Sequence, residues 1–246
     1  MMAGLEYACR CLLIQVLPSK NLKKMARYNK KYIRMIRTDL GRFPVWPLQQ
    51  KVTLGDILMF HGRKSLYSWH GNLTQWGISV TPTGAQTLLN EYYETEHNVS
   101  MKLGPGVDCV VADFKFMKKS AVVAQSFEQV YSVLPIEALK SAINQRFSPA
   151  DKQWNKDWLI VTELWQAEAY TTLISGGNGG EAIIKSGGLI PLESFNIANP
   201  RLNLSVSSKK NMNYIALAEQ SVCPFFRTHR LISYRGQYAL RAYGEG

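Results

Sequence analysis

Carboxylates, imidazoles, thiols and a glycine-rich loop are the features of this sequence whose types could do chemistry. Glu163, Glu168 and Glu181 could act as a general acid and base only if two of them met across one reacting group. Their spacing is that of successive strand positions and identifies no such pair. His61 and His70 lie beside glycines in turn-like stretches with no further ligand cluster near them, short of what a zinc site needs. The four cysteines, Cys9, Cys11, Cys109 and Cys223, lack the paired spacing of a metal site and are too few for a disulfide framework. Packing is therefore their default reading, since a free thiol behaves as a small hydrophobe. The loop Gly176-Gly177-Asn178-Gly179-Gly180 lacks the Gly-Lys-Ser/Thr ending of a phosphate loop, and strand-like residues follow it, so no helix N-terminus would face a phosphate. No HExxH, GxSxG or kinase-like set occurs. The expectation is a protein that is not an enzyme and carries no cofactor or metal.

The most distinctive charged groups are cations. From Ser19 to Leu40, at about 100° per residue, Leu22, Met25, Tyr28, Tyr32, Ile33, Ile36 and Leu40 share one side of a helix. Lys20, Lys23, Lys24, Arg27, Lys30, Lys31, Arg34 and Arg37 share the other, and no acidic residue interrupts them. A solvated face normally mixes signs to gain pairs at i, i+4, so eight like charges repel one another unless something anionic meets them. The whole chain points the same way, with 29 Lys and Arg against 18 Asp and Glu and a net charge of +11. Acidic membrane lipid and nucleic acid both fit that sign. Nucleic acid fits less well, because Tyr28 and Tyr32 fall on the apolar side and cannot interleave with the cations as stacking platforms. An ordinary solvated face remains the structural alternative.

The elements that would position these groups are mostly strands. Trp158 to Ser175 is rich in β-branched and aromatic residues and contains neither Gly nor Pro, which predicts one long central strand. Trp158 to Trp165 reads as covered on both faces, and Gln166 to Leu173 as half exposed. At roughly 3.3 Å per residue the run would reach about 60 Å, more than a compact domain needs, so it should bend or project. The glycine loop then reads as a hairpin turn into a return strand, Glu181 to Lys185. Thr87 to Lys102 alternates as a half-exposed strand. Gly104-Pro105-Gly106 breaks it and Val107 to Val123 returns, giving a long hairpin. Glu6 to Leu17 reads as an N-terminal strand, Phe43 to Pro47 as an extended connector, and Lys51 to Trp76 as short strands with turns. Pro135 followed by Ile136, Leu139, Ile143 and Phe147 predicts an amphipathic helix. Lys209-Lys210-Asn211 reads as a turn between strands, and Cys223 to Arg227 as the close of the domain. Beyond Leu231 the Gly- and Tyr-rich tail reads as a loosely docked peptide. Glu163, if buried, needs a nearby cation or backbone donor.

The fold class expected is α+β: a single domain with a twisted, mainly antiparallel sheet, long hairpins and a basic amphipathic N-terminal helix. The 246 residues suffice for one large core without staples. Neither a signal-peptide pattern nor a run of about 18 apolar residues occurs, and the cysteine usage suits a reducing compartment, so the protein reads as made in the cytosol.

The order of parts, with the Leu159-Ile160-Val161-Thr162-Glu163 strand, the basic helix and a late strand carrying Tyr214-Ile215-Ala216, resembles the pore-forming domain of the gasdermin family. Phe43 to Pro47, Leu54-Gly55-Asp56 and Pro224 to Arg227 also resemble bacterial proteins, which makes a bacterial member the expectation. The resemblance covers Leu5 to Leu231. It implies a protein that is inactive until a protease acts, then relocates to the inner membrane, binds acidic lipids and forms a homo-oligomeric β-barrel pore, in cell death or anti-phage defence. It implies that Thr87 to Val123 and Trp158 to Lys185 are the two inserting hairpins, that residues 1–231 are the pore-forming domain, and that the tail 232–246 is an inhibitory peptide. A lipidated N-terminal cysteine belongs to the same resemblance, with Cys9 and Cys11 as its candidates. A binding or scaffold module of the same fold that never inserts is the alternative, and a nucleic-acid-binding protein a second.

Overall fold

The computed structural model describes residues 32–244, except 47, 49, 62–66, 89, 96, 97 and 152. The fold is α+β and mainly antiparallel sheet, as the patterning predicts. Helix α1 (residues 32–40) precedes β1 (Phe43–Pro44), β2 (Asp56–Phe60), β3 (Tyr67–Asn72), β4 (Thr83–Leu88), β5 (Tyr92–Glu94), β6 (Val99–Pro105), β7 (Val110–Phe116) and β8 (Val122–Val133). Helix α2 (Ile136–Arg146) follows, then β9 (Trp158–Ser175), β10 (Gly180–Lys185), β11 (Ser205–Lys210), β12 (Met212–Tyr234) and β13 (Gln237–Tyr243).

Strand β9 has the bounds its composition predicts and occupies the centre. One of its edges pairs with β12, and the other is shared by β2 at the start and β8 along the rest. Its second half is not half exposed. Only Gln166 is exposed, and every residue from Ala169 to Ser175 is buried. Two layers cover it: Tyr170 and Ile174 pack with Tyr32, Ile33 and Ile36 of α1, while Leu173 packs with Ile197 and Ala169 with Ala198. Periodicity could not show this, because a polar side chain such as that of Thr171 can find its partners inside. The Thr171 hydroxyl donates to the Ile197 carbonyl and accepts from the Ala218 amide.

The glycine loop is a crease, not a hairpin turn. Strand β10 does not pair with β9; it joins a second, four-stranded sheet in the order β11-β10-β7-β6. Pairing of β8 with β9 runs from Val133↔Glu163 to Val122↔Ile174, and pairing of β7 with β10 resumes at Phe116↔Gly180 and continues to Val111↔Lys185. The offset between partners is the same on both sides. Residues 110–133 and 163–185 are thus two long segments that stay paired while both bend from one sheet into the other. Residues 205–234 also pass from one sheet to the other on the far side, through β11 and β12, but there the offset changes, from Glu181↔Lys210 to Ser175↔Met212; Lys209-Lys210-Asn211 is thus a bend and not a strand-to-strand turn. The crease is built from left-handed residues, Ser120 at φ 63°, Gly179 at φ 67° and Asn211 at φ 50°. It is stitched by backbone bonds from Ser120 N to Ser175 O (3.0 Å), Ser175 N to Ala121 O (2.9 Å) and Gly176 N to Asn211 O (2.7 Å). A side chain at Gly176 would place its Cβ 3.0 Å from that same Asn211 oxygen, which explains the glycine better than a turn does. Corners where strands switch sheets are how bent antiparallel sheets are made.

Three further expectations change. The Thr87 to Lys102 run divides into β4, β5 and β6, with β4 and β5 on β8 and β6 on β7 beyond the crease. Cys223 to Arg227 lies in the middle of the 23-residue β12, where Pro224 sits at a register shift. Without an N–H, proline is tolerated in a sheet only at such an irregularity or at an edge. The tail is not a loose peptide: β12 runs through the expected boundary at 231, Arg235 and Gly236 turn with positive φ, and β13 pairs back from Tyr234↔Gln237 to Thr228↔Tyr243. Tyr238 is buried against α2, its amide donating to Asn144 Oδ1 at 2.7 Å. Helix α2 itself forms as predicted, with Leu139, Ile143 and Phe147 buried.

Candidate functional site

The groups singled out by the sequence lie at two places, the α1 side of the central sheet and the creased second sheet. Of the eight cations, Lys20, Lys23, Lys24, Arg27, Lys30 and Lys31 fall outside the described residues, as do Cys9 and Cys11. Arg34 and Arg37 are described and are exposed, while Tyr32, Ile33 and Ile36 are buried, as the helical pattern requires. Arg37 also lies over the Phe43 ring, 5.5 Å from its centroid.

The end of α1 is fastened to the sheet by polar contacts no spacing rule reveals. Gly41 adopts a left-handed conformation at φ 61° and its N–H returns to Arg37 O at 3.1 Å, an ordinary helix stop. Its own carbonyl accepts from Arg227 Nε at 2.9 Å. Arg42 holds Glu91 by both carboxylate oxygens, at 2.8 and 2.6 Å, and lies 4.3 Å from the centroid of Trp165. Arg227 lies over the same indole at 5.6 Å and meets Glu163 at 3.4 Å, while the Tyr131 hydroxyl donates to Glu163 at 2.9 Å. The half-buried Glu163 therefore has a cation beside it. Tyr93 donates to Asp39 at 2.6 Å, which ties β5 to the helix. Arg42→Ala is expected to lower stability by about 2 to 3 kcal/mol, since it removes at once an ion pair, in which Nη1 meets both Glu91 oxygens, and a ring contact. Arg42→Lys should recover only part of this, because one ammonium can meet Glu91 as Nη1 does but lacks the planar guanidinium that lies against Trp165. Urea denaturation of both variants measures this.

At the other end of the described part of α1, the Tyr32 and Tyr170 hydroxyls lie 3.3 Å apart in the core. Burial pushes the Tyr32 phenol up to about 12. A folded-state value above the ordinary 10 gives stability that is complete below pH 10 and lost as pH rises toward 12. The thermal unfolding midpoint should therefore fall across that window. Tyr32→Phe, which cannot ionise, should flatten part of the fall.

The second sheet alternates. Ala112, Phe114 and Phe116 of β7 and Ala182 and Ile184 of β10 are buried, and Asp113, Lys115, Glu181 and Lys185 occupy the opposite positions. In register, Lys102 faces Asp113, and Lys115 stands between Ser100 and Glu181, so charges of opposite sign lie next to one another across strands. Thus Asp113 and Lys115 share one face, as the sequence alternation predicts.

Sequence spacing missed one carboxylate pair. Glu128 of β8 lies beside Glu168 of β9, and Arg201 reaches both, at 3.2 and 3.4 Å. No spacing within one strand can show a partner on the next. The surrounding groove, lined by Val130, Gln166 and Ala167 as well, is open and shallow. His61 and His70 both meet the Ser68 hydroxyl, each through Nε2 at 2.8 Å, on an exposed surface. Among the described residues no three His, Cys, Asp or Glu side chains gather as metal ligands, and no helix is long and apolar enough to cross a membrane. Neither a protein-family model nor a curated protein matches this chain.

Proposed function

We propose that this protein permeabilises membranes in the gasdermin manner. It stays folded as described until a protease activates it, then gathers on acidic lipid through Lys20, Lys23, Lys24, Arg27, Lys30, Lys31, Arg34 and Arg37. The subunits then assemble as a β-barrel pore, in bacterial cell death or anti-phage defence at the inner membrane. The observation that carries the reading is the alternation of the two central strands of the second sheet, β7 and β10, whose Ala112, Phe114, Phe116, Ala182 and Ile184 are buried while Asp113, Lys115, Glu181 and Lys185 lie opposite; each forms a hairpin with a more exposed outer strand, β6 or β11. A barrel satisfies every backbone group in lipid, and its strands alternate in this way. The second hairpin differs from the one the resemblance implies: its arms are 158–185 and 205–234, not the two halves of 158–185.

Strand length decides what activation must do. The four outer strands have six or seven residues each, below the roughly 9 to 11 that span a bilayer. The segments that contain β7, β10 and β11, residues 110–133, 163–185 and 205–234, continue through the crease and are long enough. Insertion therefore requires the crease to open, so that each arm becomes one straight strand. The test is dye release from anionic vesicles by the full protein and by C-terminal truncations. Release is the expected outcome, and its absence from every form would favour a module that binds without inserting.

A further inference from the structure

Two adjacent antiparallel strands are usually joined by roughly two to five residues. Strands β10 and β11 pair up to Lys185↔Ser205, yet residues 186–204 lie between them, and Gly187 N bonds to Leu202 O at 2.8 Å to close that loop at its neck. Loops ordinarily run over the surface, where water satisfies their backbone. This one enters the inner angle of the creased sheet. Ile197 is buried among Ala112, Phe114, Phe116, Leu173 and Ile184, and Ala198 is buried against Phe127 and Ala169.

Its backbone is held there by side chains of both central strands. Gln125 Oε1 accepts from Ile197 N at 3.1 Å, and Thr171 donates to Ile197 O. Asn196 reaches the Ser126 carbonyl at 3.5 Å, and Arg201 ends the insertion on Glu128 and Glu168. The residues Ile197 covers are the apolar face of β7 and β10. We infer that residues 195–201 are an internal plug that holds the crease bent and keeps the inserting face covered, so that their withdrawal is the step that licenses insertion. The inference rests on the pore-forming reading. It moves self-restraint from the C-terminal tail, which forms β13 at the far end of β12, to the connector of the second hairpin.

Arg201→Glu tests it without disturbing the core, because it sets a third carboxylate beside two others on an exposed surface. Ile197→Asp is the stronger variant and acts at the apolar end. Hydrogen exchange on the full chain should quicken at least tenfold in residues 195–201 and in β7 and β10, and stay unchanged in β12 and β13. Dye release from anionic vesicles should rise several-fold, and Arg201→Glu combined with Glu168→Arg should return both readouts toward the parent. Exchange that quickens in 195–201 alone, or measurable dye release that is no slower from the parent than from either variant, overturns the plug. Quickened exchange in β7 and β10 without dye release from any form supports the plug and overturns the pore.

Discussion

Val161→Asp is expected to unfold the protein. Val161 is fully buried near the start of β9, paired with Thr228 and packed with Val45, Leu58, Leu164 and Phe226. The residue beside it, Ile160, is equally buried in a different cluster, with Ile57, Leu134 and Leu231, so apolar layers lie on both faces. The side chains packed with it carry no cation, and a neutral hydroxyl such as that of Thr228 does not neutralise a buried carboxylate. An unpaired buried charge costs several kcal/mol, comparable with the about 5 to 15 kcal/mol by which a domain is stable. Val161→Ala, which leaves a small cavity and no charge, should cost only about 2 kcal/mol and keep the fold. Circular dichroism and a denaturant titration separate the two. A soluble, cooperatively folding Val161→Asp protein would remove β9 from the core.

The second large effect is on binding and leaves folding alone. Lys23→Glu, Arg27→Glu, Lys30→Glu and Arg34→Glu together should abolish association with acidic vesicles. Each cation near an anionic surface contributes on the order of 1 kcal/mol, and reversing four removes that attraction and adds repulsion. Arg34, the one of the four that is described, is exposed on the side away from Tyr32, Ile33 and Ile36, so thermal unfolding should shift by no more than a few degrees. The parent should bind neutral vesicles poorly. Salt should reproduce the loss, because exposed charges are screened beyond about 10 Å at 0.1 M. Sedimentation with vesicles reads both, and undiminished binding by the quadruple variant would place the membrane contact elsewhere.

What was legible in the sequence was local. The bounds of β9, the burial side of α2 and the inward face of α1 follow from β-branched runs and helical periodicity, which one segment carries by itself. The bend at Gly176 to Gly180 was not legible, because a glycine cluster marks departure from regular backbone without saying whether the chain reverses or continues. Nor was the pairing of Glu128 with Glu168, or the enclosure of Trp165 by Arg42 and Arg227, since each depends on a neighbour strand far away in the chain. Tyr170 and Thr172 of β9 misled for a related reason: both are buried, although they continue the alternation of the exposed Gln166 and half-exposed Glu168. A threonine whose hydroxyl finds a carbonyl inside is as buried as a valine, and alternation cannot distinguish the two.

The constant pairing offset across the crease has a kinetic consequence. A sheet that flattened by sliding strands would break its ladder and search for a new register, and a one-residue error would turn every side chain to the wrong face. Between residues 110–133 and 163–185 no partner has to be exchanged. The motion is closer to unfolding a sheet of paper along a pressed line, in which distances within the page are preserved and only a few torsion angles change. Collective motions of that kind take microseconds to milliseconds. Any step slower than this in forming an assembly would then belong to the meeting of subunits, and its rate should rise with protein concentration on the vesicle surface.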